Sequence, residues 1–231
     1  GLYNTSALDT NNDANPDEED ERCGDLPFLT LAKTFVSAVP GAAAGAHTVT
    51  YTITVMNTGG ATTTYDLRDV PGFDDDIAIA SASYTAVGAG TLPPVVLAGS
   101  GPWLLADNAS IAAGVTHTYT LTVNVLLDLS ASSSGNNSYT ACGTTQGSTS
   151  PSPGEGLYNR ANLDMNNDGT TDLTDDACGD LPYITHEKTG PVISALQANG
   201  SYNVTYTVTV RNTGGAAGDY TLTDTPNFEN D

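Results

Sequence analysis

The sequence predicts an all-β protein built from tandem β-sandwich modules, and three observations carry that prediction. Thr, Ser, Gly, Val and Tyr are abundant while Lys and Glu are scarce, the reverse of a helical composition. Apolar residues recur with a period of two, as in strands with one buried face. The chain also repeats itself: Gly1-Leu2-Tyr3-Asn4 returns as Gly156-Leu157-Tyr158-Asn159, Cys23-Gly24-Asp25-Leu26-Pro27 as Cys178-Gly179-Asp180-Leu181-Pro182, and Asn57-Thr58-Gly59-Gly60 as Asn212-Thr213-Gly214-Gly215. The offset is 155 residues, and residues 1–76 align with 156–231 without a gap.

The clearest strand has Val49, Tyr51, Ile53 and Val55 on one face, Thr48, Thr50, Thr52 and Thr54 on the other, and the Asn57–Gly60 turn at its end. Further strands are expected at Phe28–Phe35, Thr64–Asp69, Ile77–Tyr84, Thr116–Val125, Asn137–Cys142 and Leu157–Leu163. These set the expected boundaries. Residues 1–8 are the last strand of a preceding module, 9–25 an acidic calcium-type linker, and 26–163 a complete β-sandwich module. A second acidic linker follows at 164–181, and 182–231 are the first strands of a truncated next module. The chain opens without Met and stops inside such a module, which predicts that it belongs to a longer protein.

A formal net charge of −21 argues against a nucleic-acid partner, because phosphate binding is built on Lys and Arg. The sequence contains no apolar run long enough to span a bilayer. Cations are the natural counterpart, and about half of the acidic residues fall in the two linkers. In the second, Asp164, Asn166, Asp168, Asp172 and Asp175 occupy positions 1, 3, 5, 9 and 12 of a twelve-residue calcium loop, with Thr170 at position 7 and Gly169 at position 6. The first linker repeats this with Asp9, Asn11, Asp13, Asn15, Asp17 and Asp20, and Ala14 replaces the Gly. Position 12 is Asp rather than Glu and no helical pattern flanks either loop, so these are not EF-hands; they resemble the helix-free calcium loops of extracellular rod proteins. The expected cofactor is Ca2+, and the alternative is a solvated acidic linker. Without calcium, self-repulsion would keep the linkers extended; with it, the modules would form a stiff rod.

Cys23 and Cys178 share one repeat phase and Cys142 has another. Pairing Cys142 with Cys178, and Cys23 with a Cys of the preceding module, would imply an oxidising compartment. Free buried thiols are the alternative.

The order of Leu29–Thr34, Val49–Val55 leading into Asn57-Thr58-Gly59, Leu67–Pro71, Ala113-Gly114 before Thr118–Val125, and Leu157-Tyr158-Asn159 resembles the bacterial and archaeal conserved surface repeat, also called domain of unknown function eleven. The resemblance implies an immunoglobulin-like sandwich, repeated in large secreted or wall-attached proteins, with no catalytic activity. It leads us to expect an extracellular, cell-surface stalk, filament or sheath whose partners are neighbouring copies or adjacent repeats. The alternative is a calcium-dependent adhesin presenting a distal binding domain, its ligand unspecified. Of the histidines, His47 aligns with Tyr202 and His186 with Leu31, and His117 has no nucleophile motif nearby, so no catalytic residue is assigned.

The chain has two lysines, Lys33 and Lys188, at the same repeat position. Strand parity with Leu29 and Leu31 turns Lys33 into the sandwich, where an unpaired ammonium is costly. The same parity offers Asp69 and Asn159 as partners. Two readings remain open: a buried Lys33–Asp69 ion pair with Asn159 bonded to backbone, or an isopeptide bond of the kind found in some bacterial surface sandwiches.

Overall fold

The computed structural model describes residues 1–88, 92–128, 142–143 and 152–228, and these form antiparallel strands with no helix. In chain order they are β1 (Leu2–Leu8), β2 (Glu18–Gly24), β3 (Leu29–Pro40), β4 (Ala46–Asn57), β5 (Thr63–Pro71), β6 (Ile77–Val87) and β7 (Leu92–Leu97). There follow β8 (Trp103–Ile111), β9 (Thr116–Leu127), β10 (Asn159–Asp164), β11 (Leu173–Ala177), β12 (Ile184–Ile193) and β13 (Val204–Asn212). The strand expected at Asn137–Cys142 lies outside the described residues, apart from Cys142 itself.

One sheet runs β3-β4-β9-β6-β7 and the other β11-β10-β5-β8. Their facing sides build the core: Val49, Tyr51, Ile53 and Val55 of β4 and Tyr119, Leu121, Val123 and Val125 of β9 face Tyr65, Leu67, Trp103, Leu105, Ala161 and Leu163. Each large aliphatic side chain buried in this way contributes about 1.5–3 kcal/mol. The outer face of the β4/β9 pair is a Thr ladder, Thr50 opposite Thr122, Thr52 opposite Thr120 and Thr54 opposite Thr118. Branched side chains suit that half-exposed pleat. Relabelled A to G, the neighbours β3-β4-β9-β6 are A-B-E-D and β5-β10-β11 are C-F-G, the immunoglobulin arrangement, with β7 and β8 added between D and E.

This topology differs from the expected boundaries at one place. Residues 164–181, read from their charge as an inter-module linker, supply the tip of the β10/β11 hairpin, the strand β11 and its exit, with Leu181 fully buried in the module core. The charge pattern hid the strand because Asp175 stands at an inward position between Leu173 and Ala177, and its Oδ2 accepts a hydrogen bond from Lys33 N at 2.6 Å. An acid can occupy that position when a backbone N–H from β3 meets it.

The 155-residue offset carries over into structure. β1 and β2 correspond to β10 and β11, and β12 and β13 to β3 and β4. Both outlying hairpins are largely exposed on both faces, whereas their counterparts in the sandwich are covered.

Candidate functional site

Among the described residues, three groups of side chains carry chemistry, and the fold sets each. The first is the tip of the β10/β11 hairpin. The side chains of alternate residues fold back on the backbone: Asp164 Oδ2 accepts from Gly169 N at 2.8 Å, Asn166 Oδ1 from Asp168 N at 3.0 Å, Asp168 Oδ1 from Thr170 N at 2.8 Å, and Asp172 Oδ2 from Met165 N at 2.7 Å. The β1/β2 tip repeats the scheme. Asp9 Oδ2 accepts from Ala14 N at 2.8 Å, Asn11 Oδ1 from Asp13 N at 3.0 Å, Asp13 Oδ1 from Asn15 N at 2.9 Å, and Asp17 Oδ2 from Thr10 N at 2.7 Å. Hydrogen bonds from the Thr170 hydroxyl and N–H hold Asp168 below the usual carboxylate range, and those from Thr10 do the same for Asp17. For Asp9, the N–H groups of Ala14, Asn12, Asn11 and Asp13 together outweigh the opposing effect of desolvation.

The ligand set read from sequence splits here. Asp164, Asn166, Asp168, Thr170 and Asp172 share one tip, but Asp175 sits on β11 with its carboxylate on Lys33 N. Asp20 likewise lies on β2, opposite Ser6 and paired with Arg22 at 2.5 Å. Neither twelfth-position Asp is in the loop tip. The β10/β11 tip lies at the pole where the module begins: Asn167 Nδ2 donates to Thr64 Oγ1 at 3.0 Å and Asn108 Oδ1 at 2.7 Å, and Met165 lies beside Pro27, Phe28, Leu29 and Thr63 around a small cleft.

The second group crosses the core. Lys33 Nζ of β3 is ion-paired with Asp69 Oδ2 of β5, both side chains fully buried, and it lies 5.1 Å from the centre of the Tyr51 ring. Asn159, on β10 and completely buried, belongs to the penultimate strand of the module rather than to the last. Burial pushes the Lys33 ammonium down against the pull of Asp69, and burial pushes the Asp69 carboxyl up against the pull of Lys33 and of the Asn159 amide.

The third group is Asp74, Asp75 and Asp76, just after β5, whose carboxylates offer oxygens within 4.8 Å of one another. Sequence reading passed over it, although three consecutive acids were a visible signal. Hard oxygen donors of this kind suit a cation such as calcium. Asp74 Oδ1 also accepts from Asp76 N at 3.0 Å.

Cys142 and Cys178 form a disulfide with Cα atoms 6.1 Å apart, and Cys142 N donates to Asp180 Oδ1 at 2.6 Å. Cys23, in the phase of Cys178, is exposed and free. Trp103 is a core residue, 3% exposed, whose Nε1 donates to Ala98 O at 3.1 Å. His117 is buried and its Nδ1 is 2.7 Å from the Tyr65 hydroxyl, which in turn is 2.7 Å from that of Tyr119.

No family model matches the chain, and no curated protein matches it by sequence. Among solved structures it is similar to the collagen adhesin of S. aureus at 5% identity and a TM-score of 0.30, over 86% of this chain and 57% of that one. The chain spans little more than half the length of that neighbour.

Proposed function

We propose that this chain is a stretch of a non-catalytic, extracellular surface protein whose immunoglobulin-like modules are joined in series, with calcium bound at the β10/β11 hairpin tips. The observation that carries this reading is the joint between one module and the next. From the end of β11 to the start of β12 the path is only Cys178–Tyr183. Leu181 is buried in the first module while its carbonyl accepts from Ala216 N of the second at 3.3 Å. The Asn212–Gly215 turn clamps the same segment: Tyr183 N donates to Asn212 Oδ1 at 3.0 Å, and Thr213 N to Tyr183 O at 2.9 Å. Asn57–Gly60 repeats the clamp on Leu26 and Phe28, with Thr58 N donating to Phe28 O at 2.8 Å and Gly60 N to Leu26 O at 3.0 Å. A short, hydrogen-bonded joint in each repeat suits a load-bearing array better than loose beads. The disulfide supports an oxidising, extracellular setting.

Calcium enters on the chemistry of the tip. Asp164, Asn166, Asp168, Thr170 and Asp172 would hold the ion. Asp164, 8% exposed, also stands directly opposite Asp66 across the β10/β5 ladder. Facing like charges destabilise a sheet, and a divalent cation would offset that repulsion. With the tip placed at the pole where a module begins, the ion would stiffen that pole rather than straighten a linker.

Limited proteolysis of the full chain, with calcium and with a chelator, tests the calcium reading. Calcium is expected to suppress cleavage at residues 10–17 and 165–172. Equal cleavage at both tips in the two conditions would overturn it. Electron microscopy of native material, showing ordered fibres, would support the array, and unconnected globular particles would count against it.

A further inference from the structure

We propose that Lys33 and Asn159 form a covalent cross-linking site, in which Lys33 Nζ displaces the side-chain nitrogen of Asn159 to make an intramolecular amide bond between β3 and β10. Nothing in this inference depends on calcium or on location at a cell surface.

The geometry points here because the ion pair alone leaves the site unfinished. Asn159 is completely buried, yet neither its Oδ1 nor its Nδ2 has a hydrogen-bond partner of normal geometry among the described residues, and Asp69 Oδ1 is also without one. Buried polar atoms left without a normal hydrogen bond beside an ion pair are costly unless the place has a use. The expectation that Asn159 is bonded to neighbouring backbone does not describe this arrangement.

Topology brings the groups together. Asp69 is opposite Ala161 in the β5/β10 ladder and Asn159 opposite Pro71, so Asn159 is the diagonal neighbour of Asp69 on the inward face. The amide is close enough to the Asp69 carboxyl to act on its ionisation. Lys33 reaches the same carboxylate from the other sheet. The Tyr51 ring lies beside the ammonium, and the Tyr51 hydroxyl donates to Leu157 O just before β10. Leu67, Leu157 and Ala161 are fully buried nearby in sequence. The next repeat shows the same pair: Lys188 Nζ is 2.5 Å from Asp224 Oδ1 and 4.6 Å from the Tyr206 ring, and Asn4 of β1 holds the phase of Asn159.

The chemistry balances without an added reactant. A proton passes from the Lys33 ammonium to the Asp69 carboxylate, leaving a neutral amine and a carboxylic acid; burial favours both neutral forms. The amine lone pair attacks Cγ of Asn159 while the acid donates a hydrogen bond to Oδ1. The Nζ–Cγ bond forms and the Cγ–Nδ2 bond breaks. Asp69 relays one proton from Nζ to the departing nitrogen, which leaves as ammonia, and the carboxyl ends protonated. Amine and primary amide have become a secondary amide and ammonia, with no change of oxidation state. The product joins the two sheets of the sandwich through their interior.

The full chain, reduced so that the Cys142–Cys178 bridge adds no mass difference, is weighed intact and then mapped after trypsin digestion. The expected mass is lower than that of the sequence by one ammonia, and the map should contain a branched peptide joining the Lys33 and Asn159 segments. A cyclised Asn loses the same mass but yields no branched peptide, so that result would reject the cross-link. Asp69→Asn keeps both ends and removes the proton relay; its mass should be unshifted, and a branched peptide in that variant would overturn the role of Asp69. Should the variant fail to fold, the wild-type map decides alone: linear peptides cleaved after Lys33, from a chain with a β-sheet circular-dichroism spectrum, overturn the proposal.

Discussion

The sixth position of the hairpin tip shows how a single Cβ can matter. Gly169 has φ of +87°, and Ala14, its counterpart in the first repeat, is held at +70°. The left-handed region costs a residue with a side chain about 1–2 kcal/mol. We predict that Gly169→Ala weakens calcium binding at the second tip, and that Ala14→Gly strengthens it at the first by up to about tenfold, the equivalent of about 1.4 kcal/mol. Isothermal titration of each single variant would measure this, and unchanged affinity in both would show that backbone strain does not limit the site. His117 offers a residue-scale prediction with a different readout. Burial lowers its pKa, so the folded chain refuses a proton that the unfolded chain accepts as pH falls below about 6.5, the usual imidazole value. Stability should therefore decline as pH drops through that value. Protonation of the many carboxylates changes stability over the same acidic range, so the comparison must be with His117→Gln. Urea unfolding at a series of pH values should show a smaller slope for the variant below 6.5; identical slopes would refute the assignment.

Among the strands, β11 is the one whose existence rests on tertiary contact. It has five residues, one of its three inward positions is Asp175, and its place beside β3 is held by the bond from Lys33 N. Asp175→Ala would leave that N–H without its partner, at a cost of about 1–3 kcal/mol. Because Asp175 lies outside the hairpin tip, the same variant should bind calcium as the unchanged chain does. Urea unfolding and calcium titration together separate the two roles. A loss of affinity with unchanged stability would return Asp175 to the ligand set and contradict its place on β11.

At the joint, the Asn212 and Asn57 turns rather than charges hold the connecting segment. Asn212 accepts from Tyr183 N and Gly214 N and donates to Ala216 O, at 3.0, 3.1 and 2.8 Å. A Cβ on Gly214 would run into the backbone of residues 181–183, so the turn fits against the joint only with glycine there. We predict that Asn212→Ala loosens the joint without unfolding the complete module: faster proteolysis between residues 178 and 184, with the main thermal transition unmoved. A joint that stays resistant in the variant would show that the turn is not the clamp.

The sequence by itself determined the repeat, the strand character of its clearest segments and the inward direction of Lys33. These are local or periodic properties: the pleat alternates side chains with period two, and an offset between copies needs no contact to be read. Tertiary structure alone decided the assignment of residues 173–177 to the module's own sheet, the separation of Asp175 from the other calcium-type residues, and the meeting of Asp69 with Asn159. Each of these depends on which strands are neighbours. Pairing across a long connection is set by two sheets burying one core together, a condition that no stretch of sequence states on its own.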